Sequence, residues 1–342
     1  MTKKMERVDN PFISIIKGNI GIIVVLLLLF ITLTFTSPVF LTSDNLITVL
    51  LQISINVFLA LGMTFVIILA GIDLSVGAII ALTGTLTVGL IVSAGMPIYL
   101  AILIGILIGT AIGFLNGVIV SQFKLPAFIV TLATMNIAQG IAYIYSGGQS
   151  QRITNDAFTS IGTGQLFGFL PLPVLYMFIF IFIFSVLLNK TKFGTYIYAI
   201  GGNREAARLS GVATKKVEIA VYTLTGFLAA FAGIVLSARM YSGQPSVGQG
   251  YEMDAIAACV LGGVSMAGGR GRISGVVFGA IVIGIISNGL NLLGVISFWQ
   301  LVVKGLIILI AILVDAQKGK KLNFSFKLAK NKDLNYSYYP KL

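Results

Sequence analysis

"LAGIDLSVGAI", residues 69–79, is the stretch on which the reading of this chain turns. Asp73 within it is the only formally charged side chain between Asp44 and Lys124. Gly71 and Gly77 flank it, and Ser75 lies two residues on. An ionised carboxylate surrounded by hydrocarbon is costly, so its place beside two glycines marks a deliberately broken helix. Gly71 and Gly77 are expected to interrupt the backbone. Asp73 or Ser75 is expected to cap the new helix by accepting its unpaired amide hydrogens, at the positive end of the helix dipole. Two other roles stay open for Asp73: lining or gating a pathway, and contact with a partner at the near face.

The composition around this stretch supports a membrane setting. The chain has 342 residues, of which 57% are hydrophobic and only 10% charged, against about a quarter charged in soluble domains. Apolar segments long enough to cross a bilayer recur throughout. They fall at about 20–36, 46–70, 78–94, 98–120, 127–145, 173–189, 217–242, 252–266, 273–293 and 298–315. A polar loop covers 146–172 and a basic loop 190–216. The expected fold is therefore all-α: a polytopic membrane protein of about ten transmembrane helices with broken or re-entrant Gly-rich segments. Residues 1–19 form an N-terminal cytoplasmic segment, 20–316 the transmembrane domain, and 317–342 a basic cytoplasmic tail. The basic start followed by an apolar run is read as a retained first helix rather than a cleaved signal.

Charge placement fixes the expected orientation. With the N-terminus inside and the spans alternating, 20 of the 23 Lys and Arg residues fall in inside segments, as the positive-inside rule requires. The net charge of +12 is then explained by topology and gives no reason to invoke nucleic acid. One cysteine, Cys259, excludes an intrachain disulfide, and the absence of histidine removes the usual neutral-pH proton relay and zinc ligand. No nucleophile–base set, metal cluster or P-loop is present. If transport here uses ATP, another polypeptide hydrolyses it.

The glycines are patterned. Gly105, Gly109, Gly113 and Gly117 recur every fourth residue, as do Gly275 and Gly279, with Gly226, Ala230 and Gly233 making a third small face. Such spacing lets helix backbones approach closely in lipid. "LGGVSMAGGRGRISG" (261–275) lacks the Gly-Lys-Ser/Thr ending of a phosphate loop and reads as a broken segment holding Arg270 and Arg272 at the surface.

Two further groups carry candidate roles. In "YAIGGNREAARLSGVATKK" (198–216), Asn203 is suited to cap a short helix through Arg204, Glu205, Ala206, Ala207, Arg208, Leu209 and Ser210, with Gly211 ending it. This segment is either a docking knob or a plain connector. Arg239, Glu252, Asp254 and Lys304 lie within or beside spans, towards the outer half. An ion pair of Arg239 with Glu252 or Asp254 is one reading, and an outer gate or pathway role the other.

"GMTFVIILAGIDLSVGAIIALTG" (62–84), "YAIGGNREAARLSGV" (198–212), "GYEMDAIAACVLGGVSMAGGRGRISG" (250–275) and "NGLNLLGV" (288–295) together resemble the signatures of bacterial ribose-type ABC importer permeases. The resemblance runs from about residue 20 to 318. The Lys-, Asn- and Tyr-rich tail departs from it, as does the added polarity of 146–172. It implies a permease subunit for a monosaccharide in the bacterial cytoplasmic membrane, with both termini cytoplasmic. The implied partners are a second permease subunit (a homodimer), an extracytoplasmic sugar-binding protein, the lipid bilayer and a cytoplasmic ABC ATPase. ATP and Mg would sit on that ATPase, and no cofactor on this chain. It also implies that Asn203 to Gly211 is the helix that couples to the ATPase. Nucleoside or autoinducer-type cargo, or a secondary transporter with Asp73 as an ion site, are the alternatives.

Overall fold

The computed structural model describes residues 19–313, so the expected N-terminal segment and basic tail lie almost wholly outside the described residues. The helices are α1 (Ile20–Thr36), α2 (Ser43–Ile68), α3 (Val76–Val92), α4 (Ile98–Phe123), α5 (Ala127–Ser146), α6 (Asp156–Thr163), α7 (Leu172–Lys190), α8 (Lys192–Gly202), α9 (Arg204–Leu209), α10 (Thr214–Arg239), α11 (Tyr251–Leu261), α12 (Ile273–Leu292) and α13 (Ser297–Leu313). The described residues also include four two-residue strands. β1 (Gln151–Arg152) pairs antiparallel with β4 (Ser242–Gly243), and β2 (Gln165–Leu166) with β3 (Leu170–Pro171).

Among the described residues six helices, α2, α4, α5, α7, α10 and α12, are long and apolar enough to cross a membrane, and α1, α3 and α13 are shorter apolar helices. At 1.5 Å per residue the 26-residue α2 and α10 run about 39 Å, more than the roughly 30 Å of a hydrocarbon core. The eleven residues of α11 cover only about 16 Å, so a complete crossing there needs the irregular chain on either side.

Burial orders the bundle. About two thirds of the apolar windows of α2 and α10 are buried, against 22% for α4 and α5. Helices α2 and α10 therefore form the centre. A helix apolar on all sides suits such a position. Phe58 on α2, Phe180 on α7 and Phe231 on α10 lock three of these helices in an edge-to-face triangle, with centroids 5.0–5.6 Å apart. Along the Gly105–Gly117 stripe of α4, Gly105 faces Thr87 on α3 while the rest lies against α10, where Gly109 faces Ala230 and Gly113 faces Gly226. Gly275 and Gly279 likewise face α11 at Gly262 and Ala258. The small-residue faces thus serve helix packing within one subunit.

Two loops hold more structure than their composition suggested. Loop 146–172 contains α6, whose start is capped by Asn155 accepting from Phe158 N, with Phe158 fully buried beneath it. Loop 190–216 contains α8 as well as α9. Thr191 caps α8 by accepting from Gly194 N.

Candidate functional site: a broken helix joined to a surface knob

Helix α2 ends by a Schellman arrangement in which Ala70 N donates to Ile67 O and Gly71 N to Val66 O. The left-handed residue is Ala70, with φ 62°, where such motifs normally place glycine. The expectation that Gly71 and Gly77 supply the backbone break is corrected accordingly. Gly71 is required by space: a Cβ there would stand 2.5 Å from Tyr222 Oη. Gly77 is already inside α3, with the Gly248 carbonyl and the Glu252 carboxylate where its side chain would be.

Asp73 is fully buried. Its Oδ1 accepts from Ser75 N at 2.9 Å and Ser75 Oγ at 2.6 Å. Asp73 therefore closes a turn just ahead of α3. It does not cap the helix directly, and Ser75, the N-cap residue, makes no side-chain cap bond. The polar chain continues sideways. Asn116 Nδ2 on α4 donates to Ser75 Oγ at 3.0 Å, and Thr134 Oγ1 on α5 donates to Asn116 Oδ1 at 2.7 Å. Thr131 on α5 accepts from Leu74 N at 3.1 Å and donates to Ile72 O at 3.2 Å. Irregular backbone inside a membrane bundle needs such partners. Sequence reasoning missed Asn116, Thr131, Thr134 and Tyr222, because each reads alone as an isolated polar residue on an apolar helix.

At the same end of the bundle, α9 forms a short capped helix. Asn203 Oδ1 accepts from Ala206 N at 2.9 Å. Gly211, with φ +85°, ends the helix as Val212 N donates to Ala207 O and Gly211 N to Arg208 O. Ala207 is buried beneath it and Leu209 is 78% exposed at its tip. Glu205 and Arg208 pair across one turn at 3.0 Å on the exposed face. Arg204 grips Glu218 on α10 with Nε and a terminal nitrogen, at 2.6 and 2.8 Å. The Glu218 hydrogen bonds hold the Arg204 guanidinium above its ordinary pKa.

Helix α8 joins this knob to the break. Gly201 lies so close to the Ile68 carbonyl that no side chain fits between them. The Gly-rich turn 262–272 packs into the same joint: Gly269 N donates to Ile68 O at 2.8 Å, and Tyr198 Oη to Gly271 O at 2.8 Å. The end of α2, the knob and this turn therefore make one mechanical unit.

The four charges expected in the outer half are not brought together as one group. Lys304 Nζ on α13 bonds Asp254 Oδ2 on α11 at 2.8 Å. Glu252 accepts from Gly250 N. Among the described residues Arg239 makes no ion pair with Glu252 or Asp254, which corrects that pairing. Asp254 is already taken by Lys304, and Glu252 turns inward toward α3. Cys259 is buried against Thr64 and the Ala60 carbonyl. No group of acidic, histidine or cysteine side chains fit to hold a metal occurs among the described residues.

A family model described as "Branched-chain amino acid transport system / permease component" matches residues 45–312. Ribose import permease protein RbsC of Bacillus subtilis (strain 168) is 47% identical, over 86% of this chain and 91% of its own length. The protein of the same name from Escherichia coli (strain K12) is 45% identical, over 86% and 93%. L-arabinose transport system permease protein AraH of that organism is 42% identical, over 88% and 91%. No solved structure matches. The chain belongs to this membrane permease family.

Proposed function

We propose that this member of the family is the membrane-spanning subunit of an ATP-driven ABC importer for a monosaccharide, ribose or a closely related sugar. The observation that carries the reading is similarity over nearly the full length to permeases named for ribose and L-arabinose. The chain is not an enzyme; a partner ATPase holds ATP and Mg. In this account α1, α2, α3, α4, α5, α7, α10, α11, α12 and α13 make ten passes through the bacterial cytoplasmic membrane. Both termini and the α9 end face the cytoplasm, two copies form the pathway, and an extracytoplasmic binding protein delivers the sugar.

The coupling route follows from the joint at α9. The Leu209 tip and the flanking Glu205 and Arg208 form the surface that meets the ATPase. Nucleotide binding favours one ATPase arrangement, and a contact differing between arrangements shifts the permease between inward- and outward-open states. Arg204–Glu218 passes that displacement to α10, while Gly201 and Tyr198 pass it to the end of α2 and to the 262–272 turn. The break at 69–75 then allows α3 to move without bending α2.

Ribose uptake by vesicles holding the chain, its ATPase and its binding protein, with ATP, tests the reading. Uptake confined to the complete system is expected. Uptake that continues when the ATPase is left out would overturn it.

A further inference from the structure

A cavity of about 310 Å³ opens between α3, α5 and the loop leading into α11, and Ala78, Met135, Asn136, Gln139, Gln249 and Glu252 line it. Gly77, in the first turn of α3, lies directly against the Gly248 carbonyl, so the start of α3 and the loop before α11 touch beside it. Asn136 is midway along α5 (Ala127–Ser146), roughly 15 Å from either end of that helix. At that depth an outward-facing amide has only hydrocarbon unless water or a ligand reaches it. Asn136 and Gln249 are nevertheless exposed. Asn136 Nδ2 spends one proton on Leu132 O at 3.0 Å. Gln139 donates to the Pro245 carbonyl and Glu252 accepts from Gly250 N, which pins both side chains to the loop before α11. Gln249 makes no hydrogen bond among the described residues.

The geometry points to this cavity as a sugar-contact site inside the membrane, an inference that rests on the monosaccharide reading above. Asn and Gln amides both donate and accept, and a carboxylate accepts strongly; these are the groups that match a ring of hydroxyls. Met135 and Ala78 offer an apolar surface for the ring's C–H face. The volume is at the small end for ligand sites and suits one monosaccharide. Because Gln139 and Glu252 are tied to the loop before α11, movement of that loop changes the site.

The experiment uses the complete transporter in vesicles with Asn136→Cys or Gln249→Cys, labelled by a charged, membrane-impermeant thiol reagent. Cys259 is fully buried and gives no background. Phe178→Cys, on the 58% exposed face of α7, reports hydrocarbon. Labelling is expected at 136 and 249 and not at 178. Ribose on both faces at about ten times its dissociation constant is expected to slow labelling roughly tenfold. Absent labelling at 136 and 249, or labelling unchanged by ribose, in vesicles that do import ribose overturns the site and leaves the transport reading standing. Vesicles whose unmutated complex imports no monosaccharide overturn that reading and the site with it.

Discussion

Arg204 and Glu218 form a two-toothed ion pair, at 2.6 and 2.8 Å, between the surface helix α9 and the start of the central helix α10. It is the direct polar link from the exposed Leu209 tip to the middle of the bundle. Glu218 is nearly buried, with a side-chain exposure of 10%, while Arg204 is about a third exposed at 34%.

Removing one partner strands the other. Arg204→Ala is expected to cost about 1–3 kcal/mol, less than a fully buried pair because Arg204 is partly solvated. Arg204→Lys keeps the charge but not the fork and is expected to fall between. Thermal unfolding in detergent measures the cost. Uptake per ATP hydrolysed is expected to drop in the same order.

Asp73 acts as an acceptor for Ser75, and an asparagine oxygen can accept the same two bonds. Asp73→Asn is expected to retain assembly and most uptake, while Asp73→Leu leaves the Ser75 N–H and the Ser75 hydroxyl proton without an acceptor, at a cost of about 2–4 kcal/mol. Expression level and melting temperature separate the two. Severe and equal loss of uptake in both variants with normal assembly would instead assign the carboxylate itself to the pathway.

Gly71 is small because Tyr222 Oη stands where its side chain would be. Gly71→Ala is therefore expected to destabilise the joint at the end of α2, and Tyr222→Phe, which removes that oxygen, to restore part of the loss in the double variant. A double-mutant cycle on melting temperature reads the coupling. Strict additivity would contradict the assignment.

Lys304 neutralises Asp254, whose side chain is only 9% exposed. Lys304→Met is expected to cost about 3–5 kcal/mol by leaving a buried charge unpaired. Pairing it with Asp254→Asn is expected to recover most of that. Asp254 Oδ1 has no hydrogen-bond partner among the described residues, which makes the lysine the main source of compensation.

Much of this architecture was legible because bilayer-length apolar runs leave little choice of fold. The expected segments match the helices to within a few residues, apart from the segment at 252–266, where helix α11 stops at Leu261. Asn203 and Gly211 announced the ends of α9 because capping is local chemistry. The glycines of 69–79 were misread because glycine serves both strained backbone and close packing. Only the neighbouring Tyr222 and Glu252, about 150 and 175 residues away along the chain, decide between them. The lateral chain from Asp73 to Thr134 and the bond from Tyr198 to Gly271 were hidden for the same reason. Helix α6 was masked by a loop-like composition, and it exists because Asn155 caps it and Phe158 buries beneath it.

In the importer proposed above, the α9 tip is where the ATPase acts on this chain. Disulfide cross-linking measures it most directly, using Leu209→Cys in the complete transporter against single cysteines on the ATPase surface, with Phe167→Cys at the opposite end of the bundle as the comparison. Cross-linking at 209 whose yield changes when ATP is added, and none at 167, is the predicted result. Cross-linking at 167 with none at 209 would contradict it.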